Sequence, residues 1–95
     1  MKAFDWNDAA SRLVKAEIAR EGLTLAGLAA RLQGLGLQET ESSVKSKLHR
    51  GTFSATFLMQ CLVALDREDV GVSSVLPKDM PRGSDLTPKT DAELP

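Results

Sequence analysis

Glycines and capping residues divide the first 65 residues of this chain into four short segments. The glycines that interrupt the sequence are Gly22, Gly34, Gly36 and Gly51. The segments after them open on hydroxyl side chains that favour helix N-termini, at Thr24, at Thr40 or Ser42, and at Ser54. Hydrophobic residues recur three or four positions apart within each segment, which is the helical period. The pattern therefore predicts an all-α fold.

The same signals predict the bounds of the helices. The first begins near Asn7 or Asp8, with Trp6 on its apolar stripe, and ends at Gly22. The second follows Thr24 and is broken by Gly34 and Gly36, the third ends at Gly51, and the fourth runs from Ala55 to about Leu65. A weaker fifth element covers residues 70–76. We therefore expect a compact domain of four to five helices.

The composition changes after residue 76. Proline, glycine and charged or hydroxyl residues dominate residues 77–95, and few apolar residues remain among them. Such a segment cannot bury enough surface to offset its loss of conformational entropy. We therefore predict one helical domain over residues 1–76 and a disordered tail over residues 77–95.

Several classes of protein are excluded by what the chain lacks. It has one cysteine, Cys61, and one histidine, His49, which is too few for a structural zinc site. Cys61 falls on the apolar stripe of the fourth helix, where a free thiol usually behaves as a small hydrophobic group. No apolar run approaches the length of about 18 residues that spans a membrane. We expect a cytoplasmic binding protein that is not an enzyme, with no catalytic residue, cofactor, metal or membrane partner.

Positive charge is concentrated on the third predicted helix. Residues 41–50 contain three Lys or Arg and one acid, whereas residues 1–70 contain nine of each. If Val44 and Leu48 face the core, a rotation of 100° per residue places small polar and basic side chains on the opposite face. Such side chains can hydrogen-bond base edges and phosphates. A solvated helix face is the alternative interpretation of the same pattern.

The fourth predicted helix is apolar around most of its circumference. Phe57, Cys61 and Leu65 form an inner stripe, but Met59 and Val63 lie on the other side. A helix of this kind is either central in a core or buries a second side against a partner. We therefore predict a homodimer with Met59 and Val63 in its interface.

The order of motifs resembles the Cro/lambda-repressor-type helix-turn-helix family. The residues that carry the resemblance are the run Gly22-Leu23-Thr24-Leu25-Ala26, then Leu28-Ala29, and later Arg50-Gly51. Over residues 6–65 the pattern is also similar to a group of short bacterial helix-turn-helix-like proteins that form a domain of unknown function. This chain differs at Leu25, where the family usually has Gln, and in a longer connection before the third helix. The resemblance implies a lambda-repressor-like fold and a dimeric DNA-binding transcriptional regulator whose third helix enters the major groove.

A DNA-binding function would place eight residues at the nucleic acid. They are Thr40, Ser42, Ser43, Lys45, Ser46, Lys47, His49 and Arg50. The serines would lie near base edges, and the Lys and Arg side chains would contact phosphates. The Thr40 hydroxyl would add a contact at the start of the helix. The alternative function is a protein–protein interaction module on the same scaffold without DNA binding. The formal net charge of -1, Leu25 and the long connection favour that alternative.

Overall fold

Four α-helices build the domain in the computed structural model, which describes residues 3–86 of the 95-residue chain. They are α1 (Trp6–Arg20), α2 (Leu25–Gly34), α3 (Glu41–Arg50) and α4 (Ala55–Ala64). Two 3₁₀ turns follow, at Val72–Val75 and Gly83–Asp85, and residues 3–86 contain no β-strand. The predicted all-α class is confirmed.

Side-chain caps explain where the helices begin. Three hydroxyl caps accept a hydrogen bond at 3.0–3.1 Å from a backbone N–H three residues along the chain; they are Thr24, Thr40 and Ser54. Asp5 caps α1 in the same way, since its Oδ1 accepts from the N–H of Asp8 at 2.9 Å. Because Asp5 is the cap, α1 begins at Trp6, before the predicted start at Asn7 or Asp8.

One apolar core joins the four helices. Its least exposed apolar side chains come from all of them: Val14, Leu28, Leu32, Val44, Leu48, Cys61 and Leu65. A smaller cluster of Ala9, Leu13 and Val75 attaches the first 3₁₀ turn to α1. The predicted fifth element is thus a short 3₁₀ turn. Trp6, the first residue of α1, lines an apolar groove with Ala10 and Leu13 on the predicted stripe, packs edge-on against Phe4 and is 61% exposed.

The end of α3 lies directly against the start of α1. Gly51 ends α3 with a φ of +69°, and a Cβ at this position would lie 2.2 Å from the backbone oxygen of Asn7. The buried hydroxyl of Ser11 donates a hydrogen bond to the carbonyl of Leu48. Glycine is therefore required at position 51 for two reasons, the left-handed φ and the close approach of two backbones. This contact sets α3 across α1.

The connection between α2 and α3, residues 35–40, is held at several points. Gly34 is the last residue of α2, and Gly36, with a φ of +88°, follows the C-cap. The N–H of Leu37 donates to the carbonyl of Leu32 at 3.1 Å, and the Leu37 side chain packs on the core. The Nε2 of Gln33 donates to the carbonyl of Glu39 at 2.7 Å. These bonds give the long connection a defined path into α3.

The chain beyond the first 3₁₀ turn is mostly exposed. Residues 77–86 contain the second 3₁₀ turn, and Met80 is half-buried. The predicted tail extends to residue 95, and residues 87–95 lie outside the described part of the chain, so its disorder stays a prediction. Within residues 3–86, no helix is long and apolar enough to cross a membrane.

Candidate functional site

The solvent face of α3 carries five of the eight predicted contact residues. All five are exposed, and they are Ser42, Lys45, Ser46, His49 and Arg50. Val44 and Leu48 lie buried on the opposite side, as the spacing predicted. The guanidinium of Arg50 donates to the hydroxyl of Ser46 at 3.0 Å, one turn earlier. We call these five residues the outer face of α3.

The other three predicted contact residues belong to the start and the inner edge of α3. The Thr40 hydroxyl accepts from the N–H of Ser43 at 3.1 Å, and the Ser43 hydroxyl accepts from the N–H of Thr40 at 2.8 Å, which forms a capping box. The Ser43 hydroxyl also lies 2.6 Å from Oε1 of Glu39, to which it donates. The Lys47 ammonium lies 2.5 Å from Oε2 of Glu39 and 4.7 Å from the ring centroid of Phe57. Ser43 and Lys47 are therefore directed to Glu39 and away from the outer face.

Glu39 is the acid that organises this inner edge. Its side chain is 11% exposed. Burial raises the pKa of Glu39, but the hydrogen bonds from Lys47 and Ser43 and the charge of Lys47 together lower that pKa by more, so that it lies below its ordinary value of 4.5. The carboxylate is thus ionised near neutral pH and pairs with Lys47.

The outer face of α3 borders a groove to which α1 contributes Lys15. This groove of about 450 Å³ has Leu25 and Leu48 as its apolar lining, and its polar lining is Lys15, Ser42, Lys45, Ser46 and His49. A second groove of about 400 Å³ shares Lys15 and His49 and continues to Arg50, Asn7 and Ser11. Lys15 is not among the contact residues predicted from the sequence, because it lies on a different helix and enters the site only through the crossing of α1 and α3.

The cations of the domain differ in whether they face an acid. Residues 3–70 contain eight Lys and Arg side chains. Five lie within 3.6 Å of a carboxylate: Arg12, Arg20, Arg31, Lys47 and Arg67. Within the described range, the remaining three have no carboxylate within 4.0 Å, and they are Lys15, Lys45 and Arg50. All three line the two grooves beside α3.

Two acids also border the second groove, and both have local partners. Asp5 accepts the capping hydrogen bond at the start of α1. Asp8 lies 2.8 Å from the guanidinium of Arg12. Glu41 is exposed at the first turn of α3, where the helix dipole stabilises its negative charge. The unpaired positive charge therefore lies along the middle and end of α3.

Cys61 and His49 are the candidates for covalent chemistry, and among residues 3–86 neither has a hydrogen-bond partner that could activate it. Burial, with a smaller contribution from the charge of Glu39, raises the pKa of Cys61 to about 12, although the charge of Lys47 lowers it. The thiol is therefore protonated and inert near neutral pH. His49 is exposed on the outer face of α3. Within residues 3–86, no group of three His, Cys, Asp or Glu side chains could hold a metal ion.

The outward side of α4 is a second exposed surface of a different kind. Met59 is 67% exposed and Val63 52% exposed, and Leu62 lies beside them. None of the ten residues of α4 is charged. We call Met59, Leu62 and Val63 the outward face of α4. It offers apolar contact, and the acid Glu68 borders it.

One comparison with known proteins gives a match. A family model described as a domain of unknown function, DUF6471, matches residues 6–70, which is more than half of the chain and covers α1 to α4. Neither the curated proteins nor the solved structures gave a match. The matched range contains the outer face of α3, the outward face of α4 and the lining residues of both grooves apart from Asp5. On this match, the chain belongs to the DUF6471 family.

Proposed function

We propose that this protein is a helix-turn-helix-like DNA-binding domain that acts as a transcriptional regulator, with α3 in the major groove. The observation that carries the proposal is the convergence of Lys15, Lys45 and Arg50 beside α3. Cations without an acidic partner are free to neutralise phosphates, which supply most of the affinity for DNA. The resemblance to the Cro/lambda-repressor type supports the same role for this helix.

The remaining residues of the outer face have the chemistry of base recognition. Ser42 and Ser46 are short hydroxyl side chains that can donate or accept a hydrogen bond. His49 adds ring nitrogens that can donate or accept a hydrogen bond. Small polar groups of this sort let a helix approach base edges closely, while longer cations at the margin reach the backbone. Double-stranded DNA is thus the ligand that matches both parts of the face.

The cations proposed to contact phosphate differ from those predicted from the sequence. Lys45 and Arg50 remain, Lys15 is added, and Lys47 is assigned to Glu39. Leu25, which stands where the related family usually has Gln, lines the groove without offering a hydrogen bond. The phosphate contact made by that Gln is replaced in this proposal by Lys15.

The test compares duplex binding by the wild type and a triple variant, Lys15→Gln with Lys45→Gln and Arg50→Gln, by fluorescence anisotropy over a range of salt. For the wild type, the proposal predicts a log–log salt slope of about -2.7 per protomer from three phosphate contacts. The triple variant should lose this slope. The control is Arg31→Gln, which removes one positive charge nearly two turns along α2 from Leu25 and should keep the slope. A flat salt dependence for the wild type would contradict the proposal.

We also propose that the protein binds DNA as a homodimer through the outward face of α4. The face is apolar and α4 has no charged residue, so two copies can bury Met59 and Val63 against each other, with Glu68 at the border of the contact. A core of this size contributes only a few kcal/mol, and association would add to it. Met59→Lys with Val63→Lys should reduce the mass in sedimentation to that of one chain. An unchanged mass would contradict this interface.

A protein–protein interaction module without DNA binding is the second candidate function. The exposure of Met59 and Val63 favours it, because the same apolar face could receive a different protein. Lys45→Glu with Arg50→Glu separates the two functions. If the protein acts on DNA, this variant loses duplex binding. If it acts only as an interaction module, the wild type shows no duplex binding at low salt and association through α4 persists in the variant.

A further inference from the structure

The acid Glu39 contacts α2 and α3 directly, and α4 through Lys47, at the edge of the proposed DNA-binding helix. Its backbone carbonyl accepts from Gln33 at the end of α2. Its carboxylate accepts a hydrogen bond from the hydroxyl of Ser43, in the first turn of α3, at 2.6 Å. It accepts another from the ammonium of Lys47, in the second turn, at 2.5 Å. Lys47 in turn lies over the ring of Phe57 on α4. One side chain thus links the long connection, α3 and, through Lys47, α4.

The spacing of these residues explains why a single acid can do this. Ser43 and Lys47 follow Glu39 at intervals of four, so that they lie in one row on the helix surface. The row lies on one flank of α3, between the buried stripe of Val44 and Leu48 and the solvent side that holds Ser46, and it is opposite Lys45 and His49. The carboxylate therefore fixes the rotation of α3 about its axis from the inner edge. The opposite end of α3 is fixed independently, by Ser11 and Gly51 against α1.

We infer that Glu39 is a positioning residue that holds the outer face of α3 in its DNA-binding orientation, and that Lys47 serves Glu39 and contacts no phosphate. This inference rests on the proposed DNA-binding function. It assigns a role to the long connection that distinguishes this chain from a tight helix-turn-helix. The residues that lengthen the connection place the acid Glu39 next to the start of α3.

The inference makes a prediction opposite in sign to that of simple electrostatics. Glu39→Gln removes a negative charge near the proposed DNA-binding surface, and charge alone would strengthen binding to a polyanion. Loss of positioning should instead weaken duplex binding roughly tenfold, because recognition groups must be held within fractions of an ångström. The magnitude of the salt slope should not fall, since no phosphate contact is removed.

A comparison of two lysine variants tests the second half of the inference. Lys45→Gln should reduce the magnitude of the log–log salt slope by about 0.9, as one phosphate contact is lost. Lys47→Gln should lower the affinity and leave the slope as it is in the wild type. A slope reduced equally by both variants would overturn the assignment of Lys47. Binding by Glu39→Gln that equals or exceeds that of the wild type would overturn the role of Glu39.

A measurement without DNA separates this inference from the proposed function. In the NMR spectrum of free Glu39→Gln, the amides of Lys45 and His49 should shift, although both residues lie on the side of α3 opposite Ser43 and Lys47. Unshifted amides there would overturn the inference whether or not the wild type binds DNA. If Glu39→Gln fails to fold, Glu39→Asp replaces it, since the shorter side chain keeps the charge but withdraws the carboxylate; the same shifts and the same loss of affinity are expected.

Discussion

The outer face of α3 and the outward face of α4 lie on one small domain but offer opposite chemistry to solvent. On α3, Lys45 and Arg50 are charged and unpaired within the described residues, and Lys15 joins them from α1. On α4, Met59 and Val63 are exposed and no residue is charged. An unpaired cation gains most from an anionic ligand, whereas an exposed apolar side chain gains most from an apolar partner.

The difference supports the proposal that the two faces serve different partners. Elsewhere in the domain, five of the eight cations between residues 3 and 70 face acids, and the apolar side chains of the core are buried. The α3 face departs from the first regularity. The α4 face departs from the second, as do Trp6, Leu35, Val72 and Leu86 elsewhere on the surface. The proposed partner of the α3 face is nucleic acid, and the proposed partner of the α4 face is a second copy of the chain. Four sets of variants would break or sharpen this comparison.

The largest effect is expected at the contact that sets α3 across α1. Gly51→Ala should destabilise the fold by about 3 kcal/mol or more, since the new Cβ meets the backbone of Asn7 in addition to a left-handed φ. Gly22→Ala is a matched control, because Gly22 has a φ of +67° with open space around it. It should cost only the conformational part, roughly 1–2 kcal/mol. Equal losses in urea denaturation would contradict the close approach.

The second effect separates the two faces by function. Lys45→Glu with Arg50→Glu should lower duplex affinity by about 3 kcal/mol, since two attractions to phosphate become repulsions. The same variant should keep the dimer mass. Met59→Lys with Val63→Lys should give the mass of one chain and keep the salt slope per protomer. Sedimentation and anisotropy on all variants would show whether either face can be lost alone; loss of both properties together would break the comparison.

The third effect concerns acid pH and the edge of the α3 face. Because the pKa of Glu39 is lower in the folded state than in the unfolded state, its contribution to stability is complete above the unfolded pKa of about 4.5 and is lost as the pH falls through the folded value. Glu39→Gln should cost roughly 1–3 kcal/mol at pH 7. Its free energy of unfolding should also fall less steeply than that of the wild type below pH 5. Parallel pH profiles for the two proteins would contradict the Glu39–Lys47 pair.

The smallest effect distinguishes a buried hydroxyl from an exposed one. Ser11→Ala removes the donor to the Leu48 carbonyl and should cost about 1 kcal/mol of stability. Ser42→Ala, on the outer face of α3, should leave the free energy of unfolding within about 0.5 kcal/mol of the wild type. Its effect should appear in sequence preference among duplexes instead. A larger loss of stability in Ser42→Ala than in Ser11→Ala would reverse the assigned roles.

Much of the fold follows from local signals in the sequence. Thr24, Thr40 and Ser54 cap their helices where their hydroxyls predicted, because N-capping involves residues only three positions apart. The same holds for the burial of Val44 and Leu48, which depends on helical spacing alone. Trp6 shares the side of Ala10 and Leu13, as the spacing predicts, but helical spacing alone does not predict that it is 61% exposed.

The candidate site was predictable only in part, because it combines residues that are distant in sequence. Lys15 reaches the α3 face through the crossing of α1 and α3, which no local pattern specifies. Lys47 looked equivalent to Lys45 on a charged helix, and only the pairing with Glu39 distinguishes them. A signal did exist: Glu39, Ser43 and Lys47 repeat at intervals of four, next to the buried stripe. An acid in that row predicts a partner for the lysine.

The central claim, that the α3 face binds DNA, is tested most directly by NMR titration of the isotope-labelled protein with a pool of short random duplexes. We expect shifts at Lys15 and from Ser42 to Arg50 at low salt, weakening toward physiological salt, with the outward face of α4 unaffected. Non-specific binding through phosphates should already appear at low salt. An absence of shifts there, or shifts confined to Met59 and Val63, would contradict the account and favour a protein partner.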